Sequence, residues 1–127
     1  RFGASPNGLL NYGYTILRGV VARALVGSGL LPTLGIHHHN KYNAYCLADD
    51  IMEPYRPFVD QVVLHLVNDG VGELTSESKQ ELLKIAVLDV KINQQRSPLM
   101  LAVQQTTSSL QQCYAGNQTL LKLPEFV

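Results

Sequence analysis

The sequence predicts an all-α domain, and three observations favour that class. The 127-residue chain is 46% hydrophobic, which is enough apolar material for one buried core. Its apolar residues recur mainly at helical spacing, and glycine or proline separates the apolar runs. No convincing pair of strands, internal repeat or low-complexity segment is evident in the sequence. We therefore expect one helical domain that spans residues 1–127.

The first predicted helix is long and apolar. Ser5 suits its N-cap and Pro6 its first position, and it runs for about 20 residues to Gly27. Its apolar side chains surround most of its circumference, so we expect it to be buried among other helices. Arg18 and Arg23 argue against a membrane span, because both would lie in the hydrocarbon.

A second helix is predicted from about Asn43 to Val67. Two prolines, Pro54 and Pro57, each remove a backbone donor and should bend it. Its apolar residues nevertheless follow a helical period: Leu47, Ile51, Tyr55, Phe58, Val62 and Leu66.

Two further helices complete the prediction. Thr75 or Ser76 caps a third helix that ends near Val90, after a glycine-containing loop. Ser97–Pro98 starts a fourth helix, which Gly116 ends. The last residues, LPEFV, are predicted to follow without regular structure. One side of the fourth helix carries Leu99, Val103, Thr106, Leu110 and Cys113.

The net charge of zero conceals an uneven distribution. Residues 1–48 contain four basic and no acidic side chains, whereas residues 49–127 contain six basic and ten acidic ones. One basic face suited to nucleic acid is therefore compatible with the sequence, although dispersed, solvated charge is the simpler interpretation. The two cysteines, Cys46 and Cys113, form no CxxC pattern, and no signal peptide is evident, so we expect an intracellular protein.

An acidic cluster on the second helix is the first candidate for chemistry. Asp50 and Glu53 are three residues apart, which places their side chains about 5 to 6 Å from each other on one side of a helix. Adjacent carboxylates repel unless a cation or a basic partner sits between them. Arg56 is the alternative partner, through a surface ion pair worth about 0 to 1 kcal/mol that needs no metal.

Three consecutive histidines, residues 37–39, precede this cluster. Imidazole is a good ligand for Mn²⁺, Zn²⁺ or Fe²⁺, but successive side chains of an extended segment alternate sides, so the three cannot all converge. The alternative is that they are exposed loop residues. A loop histidine that meets carboxylates on the next helix suits a divalent-metal site for phosphodiester chemistry. No P-loop, GxSxG or HExxH pattern is present.

Three runs carry a resemblance: SPNGLLNYGYTILRGVVARAL, GLLPTLGIHHHNKYNAYCLADDIMEPYRPFVD and KINQQRSPLMLAVQQTTSSLQQC. In this order they resemble the CRISPR-associated Cas-one family, the endonuclease and integrase proteins of CRISPR adaptation, and most closely its type II branch. The similarity covers essentially all 127 residues. It implies the helical catalytic domain of such a protein, without the N-terminal β domain that precedes it in the family.

The resemblance also implies a site. The family pattern assigns His38 and Glu53 as ligands of Mg²⁺ or Mn²⁺, with Asp50 as an additional catalytic acid. A further metal-binding glutamate of the family lies upstream of the first helix, and no acid precedes Asp49 here, so we expect a fragment with an incomplete site. The candidates for contacts to DNA phosphates are Arg1, Arg18, Arg23, Lys41 and Arg56. For Arg18 and Arg23 the alternative is a role as buried partners of helix carboxylates.

The implied function is insertion of foreign double-stranded DNA into a CRISPR array by transesterification. The implied partners are a second copy of the chain, as a homodimer, and the Cas-two protein, in the prokaryotic cytoplasm and not at a membrane. Two alternatives remain: a non-catalytic helical module for dimerisation or interaction, and an unrelated metal hydrolase acting on a small phosphate ester.

Overall fold

The computed structural model describes residues 6–30, 47–117 and 120–127. The interpretations of Arg1, Ser5, Lys41 and the histidines at 37–39, His38 among them, lie outside the described residues. Within these ranges the chain is mostly helical, which confirms the predicted class.

The elements follow one another in chain order. They are α1 (Asn7–Gly27), α2 (Arg56–Asn68), α3 (Ser76–Leu83), β1 (Asp89–Ile92), β2 (Gln95–Pro98) and α4 (Leu99–Tyr114). Residues 47–52 are also helical, and 3₁₀ turns cover Glu53–Tyr55 and Lys84–Val87.

Helix α1 packs among other helices, as predicted, but it is buried along one side and not around most of its circumference. It packs against α2, α3 and α4, and its most enclosed side chains, with Gly13 among them, form one stripe: Leu9, Gly13, Leu17, Val21, Ala24 and Leu25. At Gly13 the approach to α2 is closest, because a Cβ added there would lie 2.7 Å from Cγ1 of Val59. The residue without a side chain therefore sets the spacing of α1 and α2.

The two prolines divide the second predicted helix. Pro54 lies in the 3₁₀ turn Glu53–Tyr55, and Pro57 is the second residue of α2. Neither can donate a backbone hydrogen bond, so the helical ladder is interrupted and tightened between residue 52 and Arg56. The predicted end is confirmed to within one residue, at Asn68.

The expectation that the chain has no strand pair is wrong. Helix α3 ends at Leu83, not near Val90, and β1 pairs with β2 in antiparallel register. A two-residue turn joins the strands, with φ values of 53° at Asn93 and 66° at Gln94. Positive φ at both positions is the geometry of a type I′ turn, whose twist matches that of a hairpin.

Consequently, the fourth helix begins later than predicted. Ser97 and Pro98 belong to β2, and α4 starts at Leu99. The predicted apolar side of this helix is confirmed, since Leu99 and Val103 are fully buried. Gly116, with φ of 81°, follows its end as predicted.

The end of the chain is docked, contrary to the expectation that it trails off. The backbone of Glu125 exchanges hydrogen bonds of 2.8 and 2.7 Å with that of Lys91, and the ring of Phe126 lies 4.4 Å from that of Phe58. Among the described residues, no helix has the length and hydropathy that a membrane span requires.

Candidate active site

Residues 47–60, called here the acidic segment, present their carboxylates to solvent. One side of it is buried in the core, through Ala48, Ile51, Met52 and Tyr55. Asp50 and Glu53 are exposed, and the helical backbone that joins them places them on the same side, three residues apart. The sequence predicted this arrangement of the two acids.

Arg56 is the immediate partner of Glu53. Its Nε lies 3.0 Å from Oε2 of Glu53, three residues earlier on the same side. The ion pair that the sequence offered as an alternative is therefore formed. Nε itself is enclosed and donates no well-aligned hydrogen bond among the described residues, so the contact is electrostatic in character.

Helix α1 contributes an aromatic side chain to this group. The guanidinium carbon of Arg56 lies 5.2 Å from the centre of the Tyr14 ring, within the range of a cation–π contact. The Tyr14 hydroxyl donates a hydrogen bond to Oδ1 of Asp60 on α2. We call Tyr14, Glu53, Arg56 and Asp60 the Tyr14 cluster.

The electrostatics of the cluster are visible at Tyr14. Its hydrogen bond to Asp60 raises the pKa of the phenol above its ordinary value, and partial burial adds to this effect. The Asp60 and Glu53 carboxylates raise this pKa further, whereas Arg56 lowers it. Tyr14 therefore lies within the electrostatic field of the candidate ligand Glu53.

A second arginine flanks the acidic segment. Nη2 of Arg18 on α1 lies 3.9 Å from Oδ1 of Asp49, and both side chains are more than half exposed. Arg23 is exposed as well. The alternative in which Arg18 and Arg23 are buried partners of carboxylates is therefore wrong, and both remain available to an external anion.

The carboxylates fit a hard divalent cation. Asp50 and Glu53 supply oxygen donors, which Mg²⁺ and Mn²⁺ prefer, and both are accessible to solvent. Three or more ligating side chains do not converge anywhere in residues 6–30, 47–117 and 120–127. His38 lies outside those ranges, so Glu53 is the one predicted ligand in the described part of the chain, and Asp50 is the predicted supporting acid beside it.

Sequence reasoning did not find Tyr14 and Asp60. One signal was present, because Asp60 follows Arg56 by four residues and so shares its side of the helix. The partnership of Tyr14 with these residues depends on how α1 lies against α2, which no local spacing reveals.

The fold and the site together define a helical domain with an exposed acidic segment. Two arginines lie beside its carboxylates: Arg56 of the segment itself and Arg18 of α1. The family model described as CRISPR associated protein Cas1 matches residues 5–107. The chain belongs to this family, the Cas-one family of the sequence resemblance.

Individual relatives agree. The chain is 40% identical over 124 residues to a CRISPR-associated endonuclease Cas1 of Neisseria meningitidis, covering 95% of this chain and 41% of the relative. A Cas1 endonuclease of Pyrobaculum aerophilum is 35% identical over 112 residues, covering 85% and 37%. A Cas4 exonuclease/Cas1 endonuclease fusion of Geobacter sulfurreducens is 38% identical over 65 residues, covering 50% and 12%. The chain thus spans about two fifths of the length of the first two relatives.

Proposed function

We propose that the protein is the helical catalytic domain of a metal-dependent DNA endonuclease and integrase of CRISPR spacer acquisition. One observation carries the proposal: Asp50 and Glu53 are exposed together on one side of a segment flanked by Arg18 and Arg56. The chain belongs to a family whose curated relatives are named endonucleases, which supports a catalytic role for these carboxylates.

In this proposal each residue of the site has a role. Glu53 and His38 ligate Mg²⁺ or Mn²⁺, and Asp50 is the supporting catalytic acid. A bound divalent ion supplies Lewis-acid polarisation of a phosphodiester oxygen. Arg18 and Arg56, together with Arg1, Arg23 and Lys41, bind the phosphates of the DNA backbone. Such contacts do not depend on base sequence and weaken steeply with salt.

The proposed reaction is a transesterification. The 3′ hydroxyl oxygen of the incoming strand forms a bond to a phosphorus of the array, and the bond from that phosphorus to its own 3′ oxygen breaks. The attacking hydroxyl gives up its proton and the leaving oxygen accepts one, so the number of phosphodiester bonds is unchanged. With water as the nucleophile, the same site acts as an endonuclease.

The proposed setting is the prokaryotic cytoplasm. The partners are double-stranded DNA, both as spacer precursor and as array, a second copy of the chain, and the Cas-two protein. The family pattern implies one more metal-binding glutamate, and the 127-residue sequence has no acid before Asp49. We therefore propose that these 127 residues alone show little or no nuclease activity, because two ligands hold a hard cation weakly.

The competing function is a non-catalytic helical module, which the ion pair between Glu53 and Arg56 favours. In that case the acidic segment is a salt-bridged surface that stabilises the domain or a dimer. The two functions differ in whether the carboxylates are needed for cleavage or only for stability.

A chimera separates the two functions. The N-terminal part of the Neisseria meningitidis relative is placed ahead of Arg1, and cleavage of branched DNA is measured with Mn²⁺. We expect His38→Ala and Glu53→Gln each to lower the rate by about 100-fold, the usual size of a lost electrostatic contribution to catalysis. Glu81→Gln is the matched control, since Glu81 is exposed and pairs with Lys84 at 2.9 Å in the same i,i+3 arrangement. Equal rates in all four proteins would favour the non-catalytic module.

A further inference from the structure

The Tyr14 cluster joins two elements at the candidate ligand Glu53. Glu53, Arg56 and Asp60 lie at positions i, i+3 and i+7 of one continuous segment and share its side. Tyr14 comes from α1 and touches two of them, Arg56 through its ring and Asp60 through its hydroxyl. It is the one member of the cluster that does not belong to the acidic segment.

The helix spacing explains how Tyr14 reaches these partners. Gly13 precedes it. Because Gly13 has no side chain, Val59 of α2 lies so close to α1 that a Cβ at Gly13 would be only 2.7 Å from Cγ1 of Val59. Tyr14 follows Gly13 just as Asp60 follows Val59, so the closest approach of the helices brings the two polar side chains together.

We propose that Tyr14 is a positioning residue of the candidate site. Its ring, fixed by the hydrogen bond to Asp60, holds the Arg56 guanidinium beside the Glu53 carboxylate. This inference rests on the proposed function, because Glu53 matters for catalysis only if it ligates the metal.

The physical reason is the flexibility of arginine. An arginine side chain on a surface occupies many rotamers, and a surface ion pair alone holds it weakly. The face of an aromatic ring attracts the planar guanidinium and restricts it, and the phenol cannot turn away while its hydroxyl is bound to Asp60. A restricted Arg56 in turn restricts Glu53, so a candidate ligand is oriented before a cation arrives.

The chain offers a matched control on the same helix. Nζ of Lys79 lies 5.9 Å from the centre of the Tyr12 ring, which is the same kind of contact. Tyr12 is half-buried, like Tyr14, and none of its described contacts involves Glu53, Arg56 or Asp60. Replacing Tyr12 therefore removes a ring of the same size from α1 and leaves the cluster intact.

The first test is nuclear magnetic resonance of the 127-residue chain, in which the Nε–H signal of Arg56 is the readout. In the parent we expect this proton to exchange slowly with water and to be shifted upfield by the ring below it. Tyr14→Leu should abolish both effects, and Tyr12→Leu should leave them unchanged. Tyr14→Phe should weaken them, because it keeps the ring but loses the hydrogen bond to Asp60 that fixes it. A circular dichroism spectrum establishes that each variant is folded.

The second test is the rate of DNA cleavage by the chimera. We expect Tyr14→Leu to lower it about tenfold, the factor that corresponds to losing one well-placed cation–π contact. Tyr14→Phe keeps the ring but loses the hydrogen bond to Asp60, so its rate should lie between those of Tyr14→Leu and the parent.

The proposal is overturned if folded Tyr14→Leu keeps the Arg56 signal of the parent. It is also overturned if Tyr12→Leu changes that signal as much as Tyr14→Leu does. If Tyr14→Leu does not fold, Tyr14→Met, whose unbranched and flexible side chain adapts better to an irregular gap, is judged by the same criteria. A chimera that never cleaves DNA would refute the proposed function alone, since the resonance comparison is made on the 127-residue chain without metal or DNA.

Discussion

Nε of Arg56 lies 3.0 Å from Oε2 of Glu53, so the carboxylate that is the candidate metal ligand already has a cation beside it. The side chain of Arg56 is about one-third exposed, and it contacts the ring of Tyr14 on α1. A divalent ion that binds Glu53 must therefore compete with this arginine. In the proposed function the guanidinium of Arg56 is also a candidate for a phosphate contact.

Replacing Arg56 should change how DNA binding depends on salt. If Arg56 contacts one phosphate, Arg56→Gln lowers the slope of log affinity against log salt concentration by about 1. Binding of branched DNA to the 127-residue chain, measured by fluorescence anisotropy at several salt concentrations, gives that slope. Lys84→Gln is the control, because Lys84 pairs with Glu81 on α3. An unchanged slope for Arg56→Gln would remove Arg56 from the set of phosphate contacts.

Two glycines of α1 should respond in opposite directions to alanine. At Gly13 the new Cβ would lie 2.7 Å from Cγ1 of the buried Val59, and overpacking of this kind costs about 1 to 3 kcal/mol, which the better helix propensity of alanine offsets by only about 1 kcal/mol. At Gly19 a Cβ meets nothing within 4 Å, and alanine is the better helix former by about 1 kcal/mol. Urea denaturation should therefore show Gly13→Ala to be less stable than the parent and Gly19→Ala to be more stable. Equal stability of the two variants would mean that α1 and α2 do not approach closely at Gly13.

The buried phenol of Tyr55 should make the domain sensitive to alkali. Burial raises the pKa of Tyr55 to about 12 from 10.0, so the folded state favours the neutral phenol. The neutral Tyr55 phenol therefore contributes its full share of the free energy of unfolding below pH 10. That contribution, roughly 2 to 3 kcal/mol in all, is lost as the pH rises from 10 to 12. Tyr55→Phe should lose correspondingly less stability across that window. The other tyrosines are shared by both proteins, so the difference between their denaturation curves isolates Tyr55.

At neutral pH the same variant should be less stable than the parent. The Tyr55 hydroxyl lies 2.7 Å from Oγ1 of Thr106, which itself donates to the backbone oxygen of Lys122 at 2.7 Å. Because that donation uses the one proton of the threonine hydroxyl, Tyr55 is the donor of the pair. Its removal should cost about 1 kcal/mol. If Tyr55→Phe were as stable as the parent at pH 7 and lost as much stability as the parent at pH 11, both roles of the Tyr55 hydroxyl would be contradicted.

The hairpin turn can be improved. Gln94 has φ of 66°, a conformation that costs a residue with a side chain about 1 kcal/mol or more and costs glycine nothing. Gln94→Gly creates the Asn-Gly pair that type I′ turns prefer, and we expect a gain of about 0.5 kcal/mol after the greater entropy of the unfolded glycine is subtracted. Thermal unfolding measures the change. Gln95→Gly, which lies in β2, should instead destabilise the protein.

The hairpin also shows where sequence reasoning stops. The long helices were predictable because a dozen or more residues repeat one period, and the interruption at Pro54 and Pro57 followed from missing donors. Strands β1 and β2 have only four residues each, and the turn between them carries Asn-Gln in place of Asn-Gly. The alternation of Val90 and Ile92 was the remaining signal, and it is too short to outweigh a helical interpretation.

The contacts of the candidate site likewise include some that the sequence predicted and some that it did not. Local spacing placed Asp50, Glu53 and Arg56 together, because residues three apart on a helix are always neighbours. Tyr14 lies 46 positions before its partner Asp60, and only the packing of α1 on α2 joins them. Contacts of this kind depend on tertiary structure, which the pattern of either helix alone does not contain.

Binding of Mn²⁺ to the acidic segment tests the central claim most directly. Paramagnetic broadening of backbone amide signals of the 127-residue chain is recorded as Mn²⁺ is added. We predict that amides around Asp50 and Glu53 broaden first and that Glu53→Gln abolishes this selectivity, while Glu81→Gln preserves it. Broadening that is equally strong around Glu81, or that Glu53→Gln leaves unchanged, would contradict the assignment of this segment as the metal site.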